Sequence, residues 1–551
     1  MKNWWKSGAP WIWLTGGAVT VSMVMVFGLI LLILVRGFGT FWAHPVLETT
    51  YQQPGGEVVT VIGELRRSET LTAQTMRDVG IPLPESQTTV VRHLIKAGNR
   101  DVTSKDFVYY LDDFFLEEWH YPDEITVLER REWGDFYGKP LRLLEQERIV
   151  AEGEGLWPEF MQRLTRSNQL FDEIRSIERG AIGDINFAME RVRLDRRRAE
   201  LRDNLTPELE QRLQQRQIEL QAQYAELEQR LDALYTEVRR DSIVMEVADG
   251  REVTVRLADI VQAWQPNNMS LPAKVGFYIG NFFDFIFGYP REANTEGGIF
   301  PAIFGTVTMV LIMSIIVTPF GVLAAIYLRE YAKQGPLLKT IRISVYNLAG
   351  VPSIVFGVFG LGFFVYFLGG GIDRVFYPEA LPAPTFGTPG LFWASLTLAL
   401  LTLPVVIVST EEGLARIPST IRQGSLALGA TKGETLWKVV VPLATPAMMT
   451  GLILAIARAA GEVAPLMLVG VVKLAPTLPI DGNFPYIHLE RKIMHLGFHI
   501  YDVGFQSPHA EAAEALVYAT ALILVLLIVM LNLTAITIRN RLREKYKSDS
   551  D

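Results

Sequence analysis

Long apolar segments constrain this chain more than any other feature of its sequence. Six of them reach about 20 residues, the length that a helix needs to cross the hydrocarbon core of a bilayer. They lie at residues 10–35, 301–328, 343–369, 391–409, 443–472 and 514–537. Because a backbone in lipid must satisfy its own hydrogen bonds, such segments form helices. The sequence therefore predicts an all-α integral membrane core with six transmembrane helices.

A polar stretch separates the first apolar segment from the other five. Residues 37–298 carry 45 acidic and 31 basic side chains, whereas the whole chain has a net charge of −8. We expect residues 1–36 to hold a tail and a retained first transmembrane helix, because the apolar run exceeds a signal-peptide core and no A-x-A site follows it. Residues 37–290 then form a soluble insert, 291–540 a core with five transmembrane helices and 541–551 a tail.

The insert has signals for both strands and helices. Residues 56–65 and 242–257 have the composition of strands, and Asp249-Gly250 in the second predicts a hairpin turn. Residues at about 158–240 predict an antiparallel, coiled-coil-like helical hairpin within an α+β insert. Its seam residues at 3–4 spacing are Leu213, Leu220, Tyr224, Leu227, Leu231, Leu234 and Val238. The hairpin is either a rigid spacer packed on itself, which we favour, or an arm that holds a partner.

Lysine and arginine in the short connections predict the orientation in the membrane. Both tails and the loops after the second and fourth apolar segments are basic, and in a six-span chain these four regions lie on one side. The basic residues are Lys2, Lys6, Arg329, Lys333, Lys339, Arg342, Arg416, Arg422, Lys432, Lys438, Arg539, Arg541, Arg543, Lys545 and Lys547. We expect both termini in the cytoplasm and the insert on the opposite side.

Several kinds of chemistry find no support in the sequence. There is no cysteine, which excludes disulfides and thiol chemistry. There is no G-x-x-x-x-G-K-[ST] motif, which excludes ATP hydrolysis at a P-loop of this chain. His495 and His499 are four residues apart, but no acidic residue completes a metal-binding pattern, so we expect them to be surface histidines. We predict no cofactor, no metal site and no nucleic-acid partner.

Arg458 and Glu462 lie inside the fifth apolar segment, four residues apart. An ionisable residue at the centre of a membrane helix costs about 2.5–3.5 kcal/mol on insertion scales. On a continuous helix the two side chains share one face and can reach each other. The pair is either a structural ion pair that makes insertion tolerable or part of a site, and such residues usually face a bundle interior or a wet cavity.

The loop at 411–442 is predicted to form two short helices separated by a turn at Gly429. It resembles the coupling loop of permeases from binding-protein-dependent ABC importers, whose pattern is EAA, three residues, Gly, nine residues and I-x-L-P. Val439, Val441 and Pro442 follow Gly429 at that spacing, whereas the EAA triplet is replaced. The residues in its place are Gln423, Gly424 and Ser425. The resemblance implies a loop that enters a groove on an ATPase subunit.

Three further stretches resemble the phosphate-importer permeases, most closely their A-type subunits. They are REANTEGGIFPAIFGT at 291–306, NLAGVPSIVFG at 347–357 and ARAAGEVAP at 457–465. The resemblance covers the first span and residues 290–540, and it leaves out the insert. It implies the MetI-like permease fold in a cell inner membrane, with the insert in the periplasm. It also implies a C-type permease partner, two cytoplasmic ATPase subunits and a periplasmic phosphate-binding protein, so this chain itself would be non-catalytic.

The resemblance favours a functional interpretation of the charged pair. Its expected cargo is an oxyanion, and an arginine presents a planar fork of donors that suits phosphate. We expect Arg458 to contact phosphate and Glu462 to hold Arg458 in place. Two alternatives stay open: a permease for another oxyanion such as sulfate or molybdate, and a membrane sensor or scaffold.

Overall fold

The computed structural model describes residues 7–78, 80–291, 296–507 and 510–547. They divide into two compact units, a membrane unit from residues 7–40 and 299–547 and an insert unit from residues 41–298. Parts of some sequence predictions lie outside the described residues. These parts are Lys2, Lys6, residues 292–295 of the 291–306 stretch, His509 and residues 548–551 of the tail.

The first transmembrane helix, α1 (Ala9–Gly39), begins with a proline in its first turn, where a missing N–H costs nothing. Most of its apolar side chains are exposed within this chain, among them Trp13 and Phe27. It packs on the last helix near its C-terminal end, where Gly37 lies against Leu522. Apolar side chains on so exposed a helix suit contact with lipid.

Two antiparallel sheets form the insert unit. The first has the order β1 (Val46–Gln52), β2 (Val58–Thr72), β3 (Thr89–Lys96) and β4 (Phe107–Leu111). The second has the order β10-β5-β6-β8-β9, with β7 paired to β6. Its strands are β5 (Thr126–Arg130), β6 (Asp135–Glu145), β7 (Arg148–Glu152), β8 (Asp241–Glu246), β9 (Glu252–Arg256) and β10 (Ile260–Trp264). The predicted hairpin turn joins β8 to β9, with Gly250 at φ +78°.

Six helices complete the insert unit. They are α2 (Ala73–Asp78), α3 (Arg100–Thr103), α4 (Leu156–Ser176), α5 (Ile182–Leu201), α6 (Pro207–Val238) and α7 (Leu271–Phe287). A π-helical turn, Ile177–Ala181, joins α4 to α5, so that both form one arm. The Thr206 hydroxyl caps α6 by accepting from the Leu209 N–H at 3.2 Å. A short strand pair, β11 (Pro290–Arg291) and β12 (Glu296–Gly297), ends the unit.

The second arm, α6, runs back along the first as an antiparallel hairpin. Arg196 pairs with Glu210 at 2.9 Å near the tip, and Arg230 pairs with Glu173 at 2.5 Å nearer the base. Five of the seven predicted seam residues are buried, namely Leu213, Leu220, Leu231, Leu234 and Val238. Interlocked coiled-coil packing between the arms stays a prediction.

The base of the hairpin belongs to the core of the insert. Phe160 and Leu164 on α4 are buried in a cluster with strand residues such as Leu143. Between them Arg163 joins helix to sheet, because its guanidinium donates to Glu145 at 2.7 Å and to Asp241 at 2.8 Å. Only the part of the hairpin beyond this base is therefore separable from the fold of the insert.

The remaining helices belong to the membrane unit. They are α8 (Phe300–Ile326), α9 (Pro336–Leu348), α10 (Ser353–Phe359), α11 (Gly370–Phe376), α12 (Leu391–Ala415), α13 (Ser419–Ala427), α14 (Lys432–Thr435), α15 (Val441–Gly461), α16 (Leu466–Val469), α17 (Leu496–Tyr501) and α18 (Ala510–Lys547). π-Helical stretches extend or join them at Tyr327–Tyr331, Gly360–Gly369, Leu436–Val440 and Asp502–Gln506.

Six helical stretches among the described residues are long and apolar enough to cross a membrane. They are Pro10–Gly39, Phe300–Tyr331, Ser353–Phe376, Leu391–Ala415, Lys432–Gly461 and Ala513–Arg541. The predicted number of spans is confirmed. The third predicted segment, 343–369, begins too early, because α9 ends at Leu348 and Pro352 keeps the preceding backbone out of a continuous helix.

The core of the membrane unit surrounds α12. Leu398 and Ala399 on this helix are buried together with Met313 of α8 and Ala459 of α15. Small residues let the three helices approach closely, as where Gly451 lies against Ser409. This packing fixes the position of α15 along α12, and thereby the level of the charged pair that α15 carries.

Candidate functional site

The fifth span breaks at the predicted charged pair. Helix α15 ends at Gly461, Glu462 has extended backbone angles, and one short helical turn, α16, follows from Leu466. Pro465 lacks an N–H and disfavours helical geometry in the residue before it, so a continuous helix cannot pass through this point unstrained. The prediction of one unbroken span over 443–472 is therefore wrong.

The register between α15 and α12 places Arg458 halfway along the bundle. Gly451 lies against Ser409, and beyond the break the Gly390 N–H donates to the Val469 carbonyl at 2.9 Å. Residues of the two antiparallel helices thus meet at a constant register, which puts Arg458 level with Thr402. Because α12 spans Leu391–Ala415, Arg458 lies about 17–20 Å from either end of that helix.

The two charged side chains remain in contact although only one of them lies on the helix. Arg458 Nε donates to Glu462 Oε1 at 3.4 Å. Their side chains are 35% and 20% exposed in this chain, so the pair is open to space outside the bundle of this chain. Charge that faces lipid at this depth is costly. The exposed edge of the pair must therefore contact water or another subunit and not lipid.

The break also leaves backbone groups available near the pair. The last carbonyls of a helix have no partner within it, and Arg458 stands in the last turn, where a positive charge is favourable. In transporters the N-termini of interrupted helices face anions and the C-terminal ends coordinate cations, so at this C-terminal end it is the Arg458 guanidinium, and not the helix end, that suits an anion. The structure thus places an arginine fork, a carboxylate and unwound backbone at one level.

The loop at 411–442 forms a helix, a tight turn and a second helix. Gln423, Gly424 and Ser425 lie on α13, and the Ser425 hydroxyl is 2.8 Å from that of Thr435 at the end of α14. Gly429 makes the turn at φ +88°, a conformation in which a side chain is strained. The described chain thus has the helix–turn–helix shape that the sequence indicates.

The limits of this loop differ from those predicted. Residue 411 belongs to the last turns of α12. At the other end the chain is helical from Lys432 onward, so that Val439, Val441 and Pro442 lie on the same helical stretch as the fifth span. Pro442 follows a π-helical turn, Leu436–Val440, where the backbone departs from regular α-helical hydrogen bonding.

Two large apolar side chains of this loop are strongly exposed. Leu428 beside the turn is 91% exposed, and Trp437 on the second helix is 56% exposed. Exposed apolar side chains on one loop are typical of a site that contacts another protein. Neither residue was predicted, although a leucine directly before the turn glycine, Gly429, is a signal for an exposed apolar contact.

One ion pair and one hydrogen bond to a backbone carbonyl hold the loop to the rest of the membrane unit. Arg422 on α13 donates to Glu330 at 2.9 Å and to the carbonyls of Leu414 and Ile417 at 2.7 Å each. The Lys432 ammonium on the second helix donates to the backbone carbonyl of Glu330. Glu330 therefore contacts both helices of the loop from the π-helical end of the second span. Arg342 pairs with Glu411 at 2.5 Å in the same region.

Three histidines of the connection between the last two spans are buried, and for His495 and His499 this is contrary to the prediction of surface histidines. His488 is 1% exposed and its ring nitrogens lie 2.9 Å from Asp481 and 3.2 Å from Glu490. His495 and His499 are 0% and 2% exposed. Among the described residues, no cluster of three or more His, Asp or Glu side chains could hold a metal ion.

Burial makes these histidines sensitive to acid. It lowers the pKa of His495 and of His499 from 6.5 to about 4. Since the folded pKa lies below the unfolded one, only the unfolded chain takes up these protons between pH 6.5 and 4, and stability falls with pH in that window. We expect a loss of up to about 3 kcal/mol per histidine.

Thermal unfolding in detergent at pH 7.5, 6 and 5 checks this expectation. The unfolding temperature of the wild type is expected to fall with pH. A His499→Gln variant should show a weaker pH dependence, because glutamine does not titrate. Equal pH dependence in the two proteins would contradict the assignment.

Known proteins resemble the membrane unit. The family of binding-protein-dependent transport system inner membrane components matches residues 317–544. The phosphate transport system permease protein PstA of Mycobacterium leprae is 36% identical over 225 residues, which are 40% of this chain and 68% of that protein. The protein of the same name from Yersinia pestis is 32% identical over 247 residues, 45% of this chain and 74% of that protein. The insert unit lies outside the family match.

One solved structure illustrates how distant the structural matches are. A chain of the MetNI methionine ABC transporter in an inward-facing conformation has a TM-score of 0.31 and 18% identity, and covers 50% of this chain and 99% of that chain. This likeness is too low to support an argument. The permease fold rests instead on the family match and on the six membrane-crossing helices.

Proposed function

Because the chain belongs to the family of binding-protein-dependent transport system inner membrane components, we propose that it is the membrane-spanning permease subunit of an ATP-driven inorganic phosphate importer. The names of its relatives supply the substrate, and the position of Arg458 carries the proposal structurally. A guanidinium at mid-depth, open on one side and fixed by a carboxylate, suits an oxyanion in transit.

We infer the partners from two features of this chain: its sequence has no P-loop motif, and the Arg458–Glu462 pair is partly exposed. A second, C-type permease subunit covers the exposed edge of the Arg458–Glu462 pair, and the translocation path runs between the two subunits. Two cytoplasmic ATPase subunits hydrolyse ATP, so this chain is non-catalytic. A periplasmic phosphate-binding protein delivers the substrate. The chain lies in the cell inner membrane with both termini in the cytoplasm and the insert in the periplasm, as the basic loops favour.

The helix–turn–helix loop is the contact to the ATPase. Gly429 permits the turn, Leu428 and Trp437 offer apolar contact surface, and Gln423, Gly424 and Ser425 stand where the family has its EAA triplet. Val439, Val441 and Pro442 continue the second helix into the fifth span. Movement of the ATPase subunits therefore reaches the helix that carries Arg458 through one helical stretch.

The test is uptake of radiolabelled phosphate by a strain that lacks this chain. We expect uptake to be lost and to return with the wild-type gene, while uptake of labelled sulfate and molybdate is unchanged. Normal phosphate uptake in the deletion strain would refute the proposal. Loss of sulfate or molybdate uptake in its place would assign the chain to another oxyanion.

The distal hairpin of the insert is expected to be dispensable for transport. Replacing residues 189–218 by a short Gly-Ser loop removes the tip and leaves Phe160 and Leu164 in the core. We expect phosphate uptake within about twofold of the wild type, because the seam residues are satisfied within the hairpin. Deletion of the whole of 158–240 is the contrasting variant and should unfold the insert. Loss of transport in the short-loop variant, with normal amounts of assembled protein, would make the hairpin a docking arm.

A further inference from the structure

A second polar site lies beside the helix break, on the connection between the last two spans. The Leu496 N–H of α17 donates to the Thr306 hydroxyl at 3.0 Å, two turns inside α8. Gly497 lies against Val463, the residue after Glu462. This connection therefore reaches into the membrane unit, to a level about 8 Å from Arg458 toward the N-terminus of α12.

Three side chains of this connection are buried with polar atoms that find no hydrogen-bond partner among the described residues. They are His495, His499 and Asp502, each 2% exposed or less. His495 Nδ1 accepts the Gly497 N–H at 3.1 Å, so the neutral ring carries its proton on Nε2, and that N–H has no acceptor. Neither ring nitrogen of His499 has a partner, and Asp502 Oδ2 forms no hydrogen bond.

A charged side chain completes the cluster. Lys473 Nζ lies 3.2 Å from Asp502 Oδ2, and the lysine side chain is 40% exposed. The lysine thus connects the buried groups with the surface of the membrane unit. Buried polar atoms in native proteins are nearly always paired with protein, water or ligand. Three ring nitrogens of His495 and His499 have no hydrogen-bond partner among the described residues, which indicates that a polar group or molecule binds beside them.

The donors and acceptors restrict what that can be. A cation does not fit, because His495 presents an N–H and Lys473 a positive charge. An oxyanion fits the His495 N–H, the His499 N–H and the lysine. The unprotonated nitrogen of His499 is an acceptor without a partner among the described residues, and it requires a ligand that also donates. Phosphate keeps a proton at neutral pH, whereas sulfate and molybdate keep none.

We propose that His495, His499, Asp502 and Lys473 form a second phosphate-binding station beside the Arg458–Glu462 pair, which selects phosphate over unprotonated oxyanions. This inference rests on the proposed function and deepens it. Lys473, which pairs with Asp502, draws the anion in from the surface, and the two histidines hold it by hydrogen bonds of both polarities. The anion then passes to Arg458.

The test compares two buried histidines of the same connection. His499→Leu removes both unpaired nitrogens, whereas His488→Leu removes a ring whose nitrogens have carboxylate partners. Each variant is reconstituted with the partner subunits in liposomes, and the KM for phosphate, the inhibition by sulfate and the unfolding temperature are measured. A His499→Gln variant, which keeps a donor and an acceptor, is the conservative comparison.

For His499→Leu we expect a KM raised at least about tenfold, stronger inhibition by sulfate, and an unfolding temperature equal to or above that of the wild type, because an unpaired buried group is removed. His499→Gln should recover part of the KM. For His488→Leu we expect a lower unfolding temperature with unchanged KM.

An unchanged KM in His499→Leu would overturn this inference and would leave the proposed function standing. So would a drop in its unfolding temperature as large as that of His488→Leu, which would make His499 part of a structural network. A wild-type transporter that moves no phosphate would overturn the proposed function and this inference together.

Discussion

Replacing Arg458 with alanine is expected to reduce phosphate uptake by about a hundredfold. The variant removes the charged donor at mid-depth and leaves Glu462, which is 20% exposed, without its cation. A hydrogen bond to a charged group contributes up to about 3 kcal/mol, which corresponds to about a hundredfold in rate or affinity. An uncompensated carboxylate would in addition repel the incoming anion.

The measurement is uptake of labelled phosphate by the deletion strain that carries each variant, with the amount of membrane-inserted protein determined in parallel. Arg458→Lys keeps the charge and loses the fork, so we expect a smaller loss of about tenfold. Arg374→Ala is the matched control, because Arg374 is an exposed arginine on α11 far from the break in sequence. Equal uptake by Arg458→Ala and Arg374→Ala would remove Arg458 from the path.

Replacing Arg422 with alanine is expected to reduce the phosphate moved per ATP hydrolysed by about tenfold. Arg422 and Glu330 have side chains only 22% and 14% exposed, so the loss leaves a largely buried carboxylate unpaired. It also frees the carbonyls of Leu414 and Ile417. Leaving buried groups unsatisfied costs about 1–3 kcal/mol, so we expect the loop at 411–442 to be held less firmly to the second span.

The phosphate moved per ATP is measured with the reconstituted transporter, in which ATP hydrolysis and phosphate accumulation can be followed in one preparation. Lys438→Ala is the matched control, because it changes the same loop and leaves the Arg422–Glu330 ion pair intact. Lys438 is 75% exposed and lies 3.6 Å from Glu434, so its pair contributes little. We expect Lys438→Ala to behave as the wild type. A coupling ratio in Arg422→Ala equal to that of Lys438→Ala would show that the Arg422–Glu330 ion pair does not transmit motion.

The transmembrane architecture could be predicted because lipid leaves the backbone few choices. Six long apolar runs gave six spans, and the Asp249-Gly250 turn gave the β8–β9 hairpin. The break after Gly461 had only a partial signal. Gly461 and Pro465 weaken the backbone bonding there, but Pro319 and Pro404 lie inside unbroken helices, so proline alone does not predict a break.

Other features had no local signal. His499 is buried because its segment packs against residues far away in sequence, such as Thr306 and Val463, and no pattern around a histidine records such packing. The Glu330–Arg422 pair joins residues 92 positions apart. Sequence patterns report what a segment does by itself, whereas these contacts depend on how the segments meet.

The most direct test of the account is ATP-dependent accumulation of labelled phosphate in liposomes. The wild-type chain is reconstituted with its C-type permease, ATPase and binding-protein partners, and the Arg458→Ala chain is reconstituted in parallel. The account predicts accumulation by the wild type, resistance of that accumulation to excess sulfate, and near-complete loss in the variant. Phosphate accumulation at the wild-type rate in the Arg458→Ala preparation would contradict it.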